Sequence, residues 1–317
     1  MKAIALISGG LDSILAAKVI QNLGIEIIPL HFAIPFSHNT KKSSRPNIKE
    51  LVLKNLRNEL NEIVLGEEFL DLIKKPAHGL GSNMNPCIDC KILMLRKAKG
   101  LMSGWKAKFV ITGEVLGQRP MSQNKNSLTI IEKDSGLEGF VLRPLSSRLL
   151  PPTVPEQEKW VEREKLLGIS GRGRNLQMEL AEKLGVEDYP QPAGGCLLTD
   201  PEFARRLRDL ITHNELNLEN IELLKIGRHF RISPATKLVV GRNENENHKL
   251  VELAKEKDYL FIPKNTPGPT ALGRGKFNEE LIRYSCEIVR RYCDGNNKNE
   301  IEIHYEERSP ALREIRK

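Results

Sequence analysis

The chain has 317 residues, enough for two domains with separate cores, and 49 Lys and Arg against 41 Asp and Glu give it a formal charge of +8. That bias favours a polyanionic partner over a membrane, and no run of the ~20 apolar residues needed to cross a bilayer occurs. Five cysteines, an odd number in a long chain, argue against a disulfide framework. The N-terminal apolar stretch is too short for a secretion signal and is broken by Gly9, Gly10 and Asp12, so a cytoplasmic protein is expected.

Ala3 to Ile7 is a short apolar run suited to a buried parallel strand, and Ile14 to Leu23 carries apolar residues at helical spacing up to Gly24. Between them lies Ser8-Gly9-Gly10-Leu11-Asp12-Ser13. A strand turning into a helix through two glycines lets main-chain N–H groups approach an anion, and the helix N-terminus adds partial positive charge. Ser8 and Ser13 can donate to phosphate oxygens, and Asp12 can hold a divalent metal. The stretch lacks the Lys of G-x-x-x-x-G-K-[ST] and is not G-x-G-x-x-G. S-G-G-L-D-S after a first strand resembles the PP-loop of the ATP pyrophosphatases. The resemblance implies cleavage of ATP between its α- and β-phosphates through an adenylated intermediate, with Asp12 catalytic and Ser8, Gly9, Gly10, Asp12 and Ser13 at the nucleotide.

Ile25 to Phe32 reads as a second strand, whose end from Leu30 to Phe32 should lie where an adenine rests in a doubly wound sheet. Ser37 to Pro46, with Lys41, Lys42 and Arg45, reads as a basic surface loop. Ile48 to Leu60 is expected as an amphipathic helix, Glu62 to Leu65 as a strand and Phe69 to Lys75 as the start of a helix. In the segment from His78 to Lys91, Pro86 suits a first helical turn, and Ile92 to Met102 continues at helical spacing. Cys87 and Cys90 then share one helix face, where the dipole should favour thiolate. N-P-C-x-x-C-K before a long helix resembles the corresponding segment of the tRNA 2-thiouridine synthetases. A redox C-x-x-C would want a thioredoxin-like context, and a structural zinc a second pair of ligands.

Lys108 to Thr112 reads as a buried strand ending in Gly113-Glu114-Val115-Leu116-Gly117-Gln118-Arg119. The same synthetases carry T-G-H here near the nucleotide, which implies ATP contacts from Gly113 and Gln118; Glu114 stands where they have His. Val141 to Ser147 resembles the L-R-P-L segment of 4-thiouridine synthetases, and Arg143 is read equally as a phosphate ligand or a structural ion pair. Pro151, Pro152 and Pro155 mark a break. Glu156 to Leu167 is expected as a charged helix, Ser170 to Arg174 as a basic turn able to meet RNA through Arg172 and Arg174, and Leu176 to Leu184 as a helix. Gly194-Gly195-Cys196 resembles the segment carrying the second reactive cysteine of the 2-thiouridine synthetases.

From about Glu215 the character changes. Ile221 to Lys225 and Leu238 to Val240 read as short strands joined by Gly227-Arg228-His229-Phe230-Arg231. Leu250 to Lys255 reads as a helix, Tyr259 to Ile262 as a strand, Asn278 to Arg291 as a long helix and Ile301 to Tyr305 as one more strand. G-R-N-x-x-E-N before a helix and P-G-P-T-A after a strand resemble the RNA-binding domain of NFACT-type proteins, which implies RNA contacts from Arg228, Arg231 and Arg242. Cys286 and Cys293, two helical turns apart, read as structural. Arg308 to Lys317 is a basic tail.

The expected fold is α/β: a doubly wound, mostly parallel sheet of the PP-loop, adenine nucleotide alpha hydrolase-like kind, with a smaller α+β C-terminal domain. Expected domains are 1–150 for ATP, 151–212 as a connecting helical segment with the third cysteine, and 213–317 for RNA. The combined motifs resemble PP-loop tRNA thiolation enzymes over residues 1 to about 200. That implies adenylation of a uracil carbonyl with Mg2+ and ATP, sulfur transfer, release of AMP and pyrophosphate, a tRNA or other structured RNA as partner, and sulfide or a persulfide carrier as donor. Cys87 and Cys196 are the catalytic cysteines implied. A persulfide relay needs two cysteines; three, Cys87, Cys90 and Cys196, suit a [4Fe-4S] cluster with one iron open, and this reading is preferred. A homodimer stays open, as do two other classes: a PP-loop ligase or amidotransferase on a small substrate, and a non-catalytic RNA-binding adaptor.

Overall fold

Lys2–Leu6 (β1) is the central strand of a five-stranded sheet, and its middle residues Ala3, Ile4 and Ala5 are buried on both faces, as a parallel strand between two helical layers requires. The structure is a computed structural model describing residues 1–37, 47–190, 196–294 and 298–309. β1 feeds Leu11–Gln21 (α1), then Glu26–Ala33 (β2), Ile48–Leu56 (α2), Asn61–Val64 (β3), Glu67–Lys74 (α3) and Cys87–Met102 (α4). Ala107–Thr112 (β4), Lys125–Ser135 (α5) and Val141–Leu142 (β5) complete the sheet.

All pairings in this sheet are parallel, in the order β3-β2-β1-β4-β5. The chain winds outward from β1 through β2 to β3, then returns to the other side of β1 for β4 and β5. The switch point therefore lies between β1 and β4, and the crevice beyond their C-terminal ends is where such sheets bind ligands. The expected doubly wound parallel fold is what the structure has.

Val154–Gln157 (α6) and Asn175–Leu184 (α7) follow. Residues 151–200 do not stand apart from the sheet: Val161, Leu166, Ile169, Ala181 and Val186 join the core that β1, α1 and α2 build. The charged helix expected from Glu156 to Leu167 does not form. Lys159 turns left-handed at φ 55°, and the amides of Trp160 and Val161 both donate to the Pro155 carbonyl. That turn sets Trp160 beside Phe109, with ring centroids 6.4 Å apart, and drops Val161 into the core. Burial of these two side chains outweighs the helix propensity of the surrounding Glu and Lys residues.

The chain divides into two compact units, Met1–Asp200 and Pro201–Lys317. In the second, Pro201–Thr212 (α8) and Leu218–Leu224 (α9) precede Arg228–Ser233 (β6) and Thr236–Val240 (β7). Glu244–Leu253 (α10), Tyr259–Pro263 (β8), Ala271–Gly275 (β9), Glu279–Arg291 (α11) and Ile303–Glu307 (β10) follow. These strands form an antiparallel sheet in the order β10-β8-β9-β7-β6. Its residues alternate between two cores: Leu238, Val240 and Phe261 pack with α11, while Val239, Leu260 and Leu272 pack with α9 and α10.

Two expectations fail here. Ile221 to Lys225 is not a strand but the body of α9, capped by the Asn217 side chain on the Asn220 amide. The segment read as a joining loop, Arg228 to Arg231, is itself β6, and β9 follows the P-G-P-T turn unforeseen.

Candidate active site

The turn after β1 is built by its own hydroxyls. Ser13 Oγ donates to the Gly10 carbonyl at 2.7 Å, the Ser8 amide donates to Ser13 Oγ at 3.3 Å, and the Gly10 amide donates to Ser8 Oγ at 3.4 Å. Gly9 is left-handed at φ +79°, a conformation that favours glycine. Gly10 caps α1 without a side-chain bond, leaving the first-turn amides open to an anion. Gly113, just past β4, lies so close that a Cβ on it would sit 2.5 Å from the backbone of Asp12 and Ser13. A side chain does not fit there, so the first turn of α1 packs directly on the backbone just past β4.

Asp12 occupies the first turn of α1. Its Oδ2 accepts from Gln118 Nε2 at 2.9 Å, while Oδ1 is buried without a hydrogen-bond partner. Leu30 and Phe32 are both buried, and the Leu30 carbonyl accepts from the Ile7 amide at 2.8 Å. Their side chains, expected beside an adenine, lie in the core, and their backbone is paired with the neighbouring strands.

The three cysteines of the first unit form a second centre. Cys87 opens α4 and Cys90 closes its first turn, the Cys90 amide donating to the Pro86 carbonyl at 2.8 Å. Cys196 is brought to them by a strap. The Leu197 amide donates to the Phe36 carbonyl at 3.1 Å, the Met84 amide to the Leu198 carbonyl at 3.1 Å, and Asn83 Nδ2 to the Thr199 carbonyl at 2.8 Å. Cys87 and Cys196 both act electrostatically on Cys90, Cys87 acts on Cys196, and the Arg119 guanidinium acts on Cys90 and Cys196.

The helix-dipole effect expected for Cys87 and Cys90 is overruled at Cys90. Burial pushes the Cys196 thiol up to about 11, and Cys90 higher still, because loss of solvent outweighs the partial charge of a helix end. All three are free and half-buried. Among the described residues, no group of three or more His, Cys, Asp or Glu side chains converges as a holder of a metal ion.

A buried ion network separates and ties the two centres. Glu114, next to Gly113, pairs with Lys91, the residue after Cys90, and accepts from Arg143 Nε at 2.9 Å and Thr112 Oγ1 at 3.1 Å. Arg143 pairs further with Glu132. Burial opposes ionisation of Glu114, yet Lys91 and Arg143 hold its carboxyl at about 2. Of the two readings of Arg143, the structure selects the ion pair, since the side chain is 3% exposed. His78 braces the loop entering α4: its Nδ1 lies 2.9 Å from Asp89, inside the C-x-x-C, and its Nε2 lies 3.0 Å from Asp134. Asp89, the larger influence, and Asp134 raise the His78 pKa above its ordinary value.

Sequence reasoning gave no role to Lys91, Arg119 or the His78–Asp89 pair. Lys91 and Asp89 were visible only as neighbours of the cysteines, and their partners lie elsewhere in the chain, so no local spacing announces them.

The basic residues separate by surroundings. Arg172 is exposed, and the Gly171 amide beside it donates to the Leu116 carbonyl at 2.8 Å, which sets the Gly171–Arg174 turn against the loop after β4. Arg228 is exposed and stacks 4.7 Å over the Tyr292 ring. Arg231 is otherwise engaged, forked onto Asp209 and Glu215 at 2.6 Å each, and Arg242 pairs with Glu246 at 2.6 Å. Lys41, Lys42, Arg45, Gly194, Gly195 and most of the basic tail lie outside the described residues.

Residues 1–148 match the family model described as thiamine biosynthesis protein (ThiI), and residues 227–316 match that of the NFACT protein RNA binding domain. A probable tRNA sulfurtransferase of Thermococcus kodakarensis is 30% identical over 144 residues, 45% of this chain and 36% of the relative. The chain thus spans about a third of that relative's length. A 4-thiouridine synthetase solved with RNA and bound ATP aligns with 71% of this chain and 52% of its own, at 21% identity and a TM-score of 0.41. The U34-tRNA thiolase NcsA of Methanococcus maripaludis, solved with its [4Fe-4S] cluster, aligns with 71% of this chain and 72% of its own, at 13% identity and a TM-score of 0.31.

Proposed function

We propose that the chain is an ATP-dependent RNA sulfurtransferase that replaces a uridine carbonyl oxygen with sulfur, with tRNA as its substrate. One observation carries the reading. The loop after β4 lays Gln118 on Asp12 of the phosphate turn and sets its neighbour Arg119 near enough to Cys90 and Cys196 to act on both electrostatically. A nucleotide-activating centre and a sulfur centre joined by adjacent residues suit a reaction that activates an oxygen and then displaces it with sulfur. The match of residues 1–148 and of residues 227–316 supports the same reading.

In this mechanism the N-terminus of α1 takes the phosphates of ATP, with the Ser8 and Ser13 hydroxyls exchanging their bonds within the turn for phosphate oxygens. Asp12 Oδ1, a buried oxygen without a partner, is a hard donor suited to Mg2+ beside them. The uracil oxygen attacks the α-phosphorus and pyrophosphate leaves with the electrons of the broken P–O bond. Sulfide then attacks the activated carbon, and AMP leaves with the original oxygen. A persulfide attacks in the same way, after which a second thiol attacks its sulfur–sulfur bond, leaving a disulfide and the thiocarbonyl. Arg119 and Lys91 place positive charge where anionic sulfur collects.

The chemistry of the donor set suits an iron–sulfur cluster: Cys87, Cys90 and Cys196 are soft ligands that influence one another electrostatically, while among the described residues they do not converge as a ready-made metal-holding group. When bound, a [4Fe-4S] cluster on three cysteines keeps one iron open to hold sulfide. Burial pushes the Cys196 thiol up to about 11, which disfavours the thiolate that a Cys87–Cys196 persulfide relay needs. Metal ligation stabilises the thiolate directly, which favours the cluster.

ATP–pyrophosphate exchange tests the proposal. Exchange that depends on added tRNA is the expected result. Exchange driven by a small acid without RNA would place the protein among ligases, and a folded protein with no exchange would leave an RNA-binding adaptor.

A further inference from the structure

The loop after β4 is closed on itself and fastened at both ends. The Gly117 amide donates to the Gln123 carbonyl at 2.7 Å, and the Gln123 amide donates to the Arg119 carbonyl at 2.9 Å. At its near end Gln118 holds Asp12. At its far end Ser127 Oγ, from the first turn of α5, donates to the Met121 carbonyl at 2.6 Å. Ser122 and Gln123 are buried, so backbone bonds and these two residues anchor the loop to the fold. The Met121 side chain is free for another task.

It reaches across to the loop that enters α4. A Cβ built on Gly81 would overlap the Met121 sulfur, so the missing side chain at 81 is what opens a notch there. Gly81 is not left-handed, and the notch rather than the backbone therefore accounts for the glycine. An unbranched, flexible thioether suits such a gap. The Gly81 amide donates to the Asn85 carbonyl at 2.8 Å, closing a turn just ahead of Pro86 and Cys87. The same turn receives the strap that carries Cys196, through the Met84 amide on the Leu198 carbonyl. The turn that seats Met121 is thus also the turn that joins the Cys196 strap to α4.

We propose that Met121 is a positioning residue: seated on Gly81, it ties the loop that holds Asp12 to the loop that enters α4, so that nucleotide binding is transmitted to the sulfur centre. The inference rests on the ATP and sulfur chemistry proposed above and deepens it by assigning the link between its two steps. Phosphates and metal drawn to Asp12 change the demand on its Gln118 bond. The closed loop passes that change to Met121 as a unit, and a packed side chain between two sites carries such coupling.

The test uses the full chain, its Met121→Ala and Gly81→Ala variants, and the double variant. Hydrogen exchange is followed with and without α,β-methylene-ATP, which resists cleavage at the bond the reaction breaks. In the wild type the analogue should slow exchange in residues 113–123 and in residues 78–86. In either single variant it should slow exchange in residues 113–123 alone. Both should retain ATP–pyrophosphate exchange while tRNA thiolation falls by about 10²-fold, as an ångström-scale misplacement of reacting groups can produce. The double variant should be no worse than either single one, since all three lack the same contact. Slowed exchange in residues 78–86 of both single variants would overturn the role of Met121 and move the link to the Lys91–Glu114 pair. Loss of pyrophosphate exchange together with thiolation would overturn it too, since a merely structural residue gives that result. Protection of residues 113–123 alone in the wild type would remove the link and leave ATP binding intact. No protection by the analogue anywhere in the wild type would overturn the ATP reading itself.

Discussion

Asp12 has one carboxylate oxygen held by Gln118 and the other buried with nothing to bind, a state that costs free energy in the protein alone. Asp12→Asn should keep the Gln118 contact and the thermal midpoint while lowering ATP–pyrophosphate exchange by about 10²–10³-fold, the loss typical of removing one charge stabiliser from an active site. Near-normal exchange in a folded variant would remove Asp12 from the chemistry. Glu114 makes the opposite case, since its role is structural. Glu114→Gln leaves Lys91 and the buried Arg143 without their shared partner, and unfolding measurements should show a loss of about 3–5 kcal/mol. Its folded pKa, at about 2, lies below its ordinary 4.5. The stabilisation is therefore present in full above pH 4.5 and is lost as pH falls toward 2.

The first turn of α4 is the element on which the sulfur centre depends, and His78 braces the loop that enters it. Because the His78 pKa is raised above 6.5, its protonated form is the stabilising one. The brace is complete below pH 6.5 and fades as pH rises through the higher folded value. Amide exchange in residues 78–90 should accelerate over that rise, and His78→Gln should flatten the response; exchange independent of pH, after correction for the intrinsic rate, would contradict it. The elements that carry this site were legible because their signals are local. S-G-G-L-D-S sits between an apolar run and a helical pattern, and Pro86 marks a first turn. The errors fell where burial of one or two side chains decides the path. Trp160 and Val161 break a charged helix, and α9 reads as a strand until the Asn217 cap is recognised. The partners of Lys91 and His78 are tertiary, so no spacing reveals them.

At the scale of the whole molecule, the cysteines divide by unit. Cys87, Cys90 and Cys196 share one electrostatic neighbourhood in the first, while Cys286 and Cys293 are buried in the core under α11 in the second. Protein purified without oxygen should carry about four iron and four inorganic sulfides per chain if the cluster is a full cube. Alanine at Cys87, Cys90 or Cys196 should lose the iron, and alanine at Cys286 should retain it at some cost in stability. Full activity from iron-free protein would leave the persulfide relay.

The central claim is that one crevice activates a uridine oxygen with ATP and replaces it with sulfur. The most direct measurement is nucleoside mass spectrometry of unmodified tRNA incubated with anaerobically purified protein, ATP and sulfide, with AMP counted alongside. The account predicts a thiouridine formed one-for-one with AMP by the wild type and absent with Asp12→Asn. AMP released while the tRNA keeps all its uridine oxygens would contradict it.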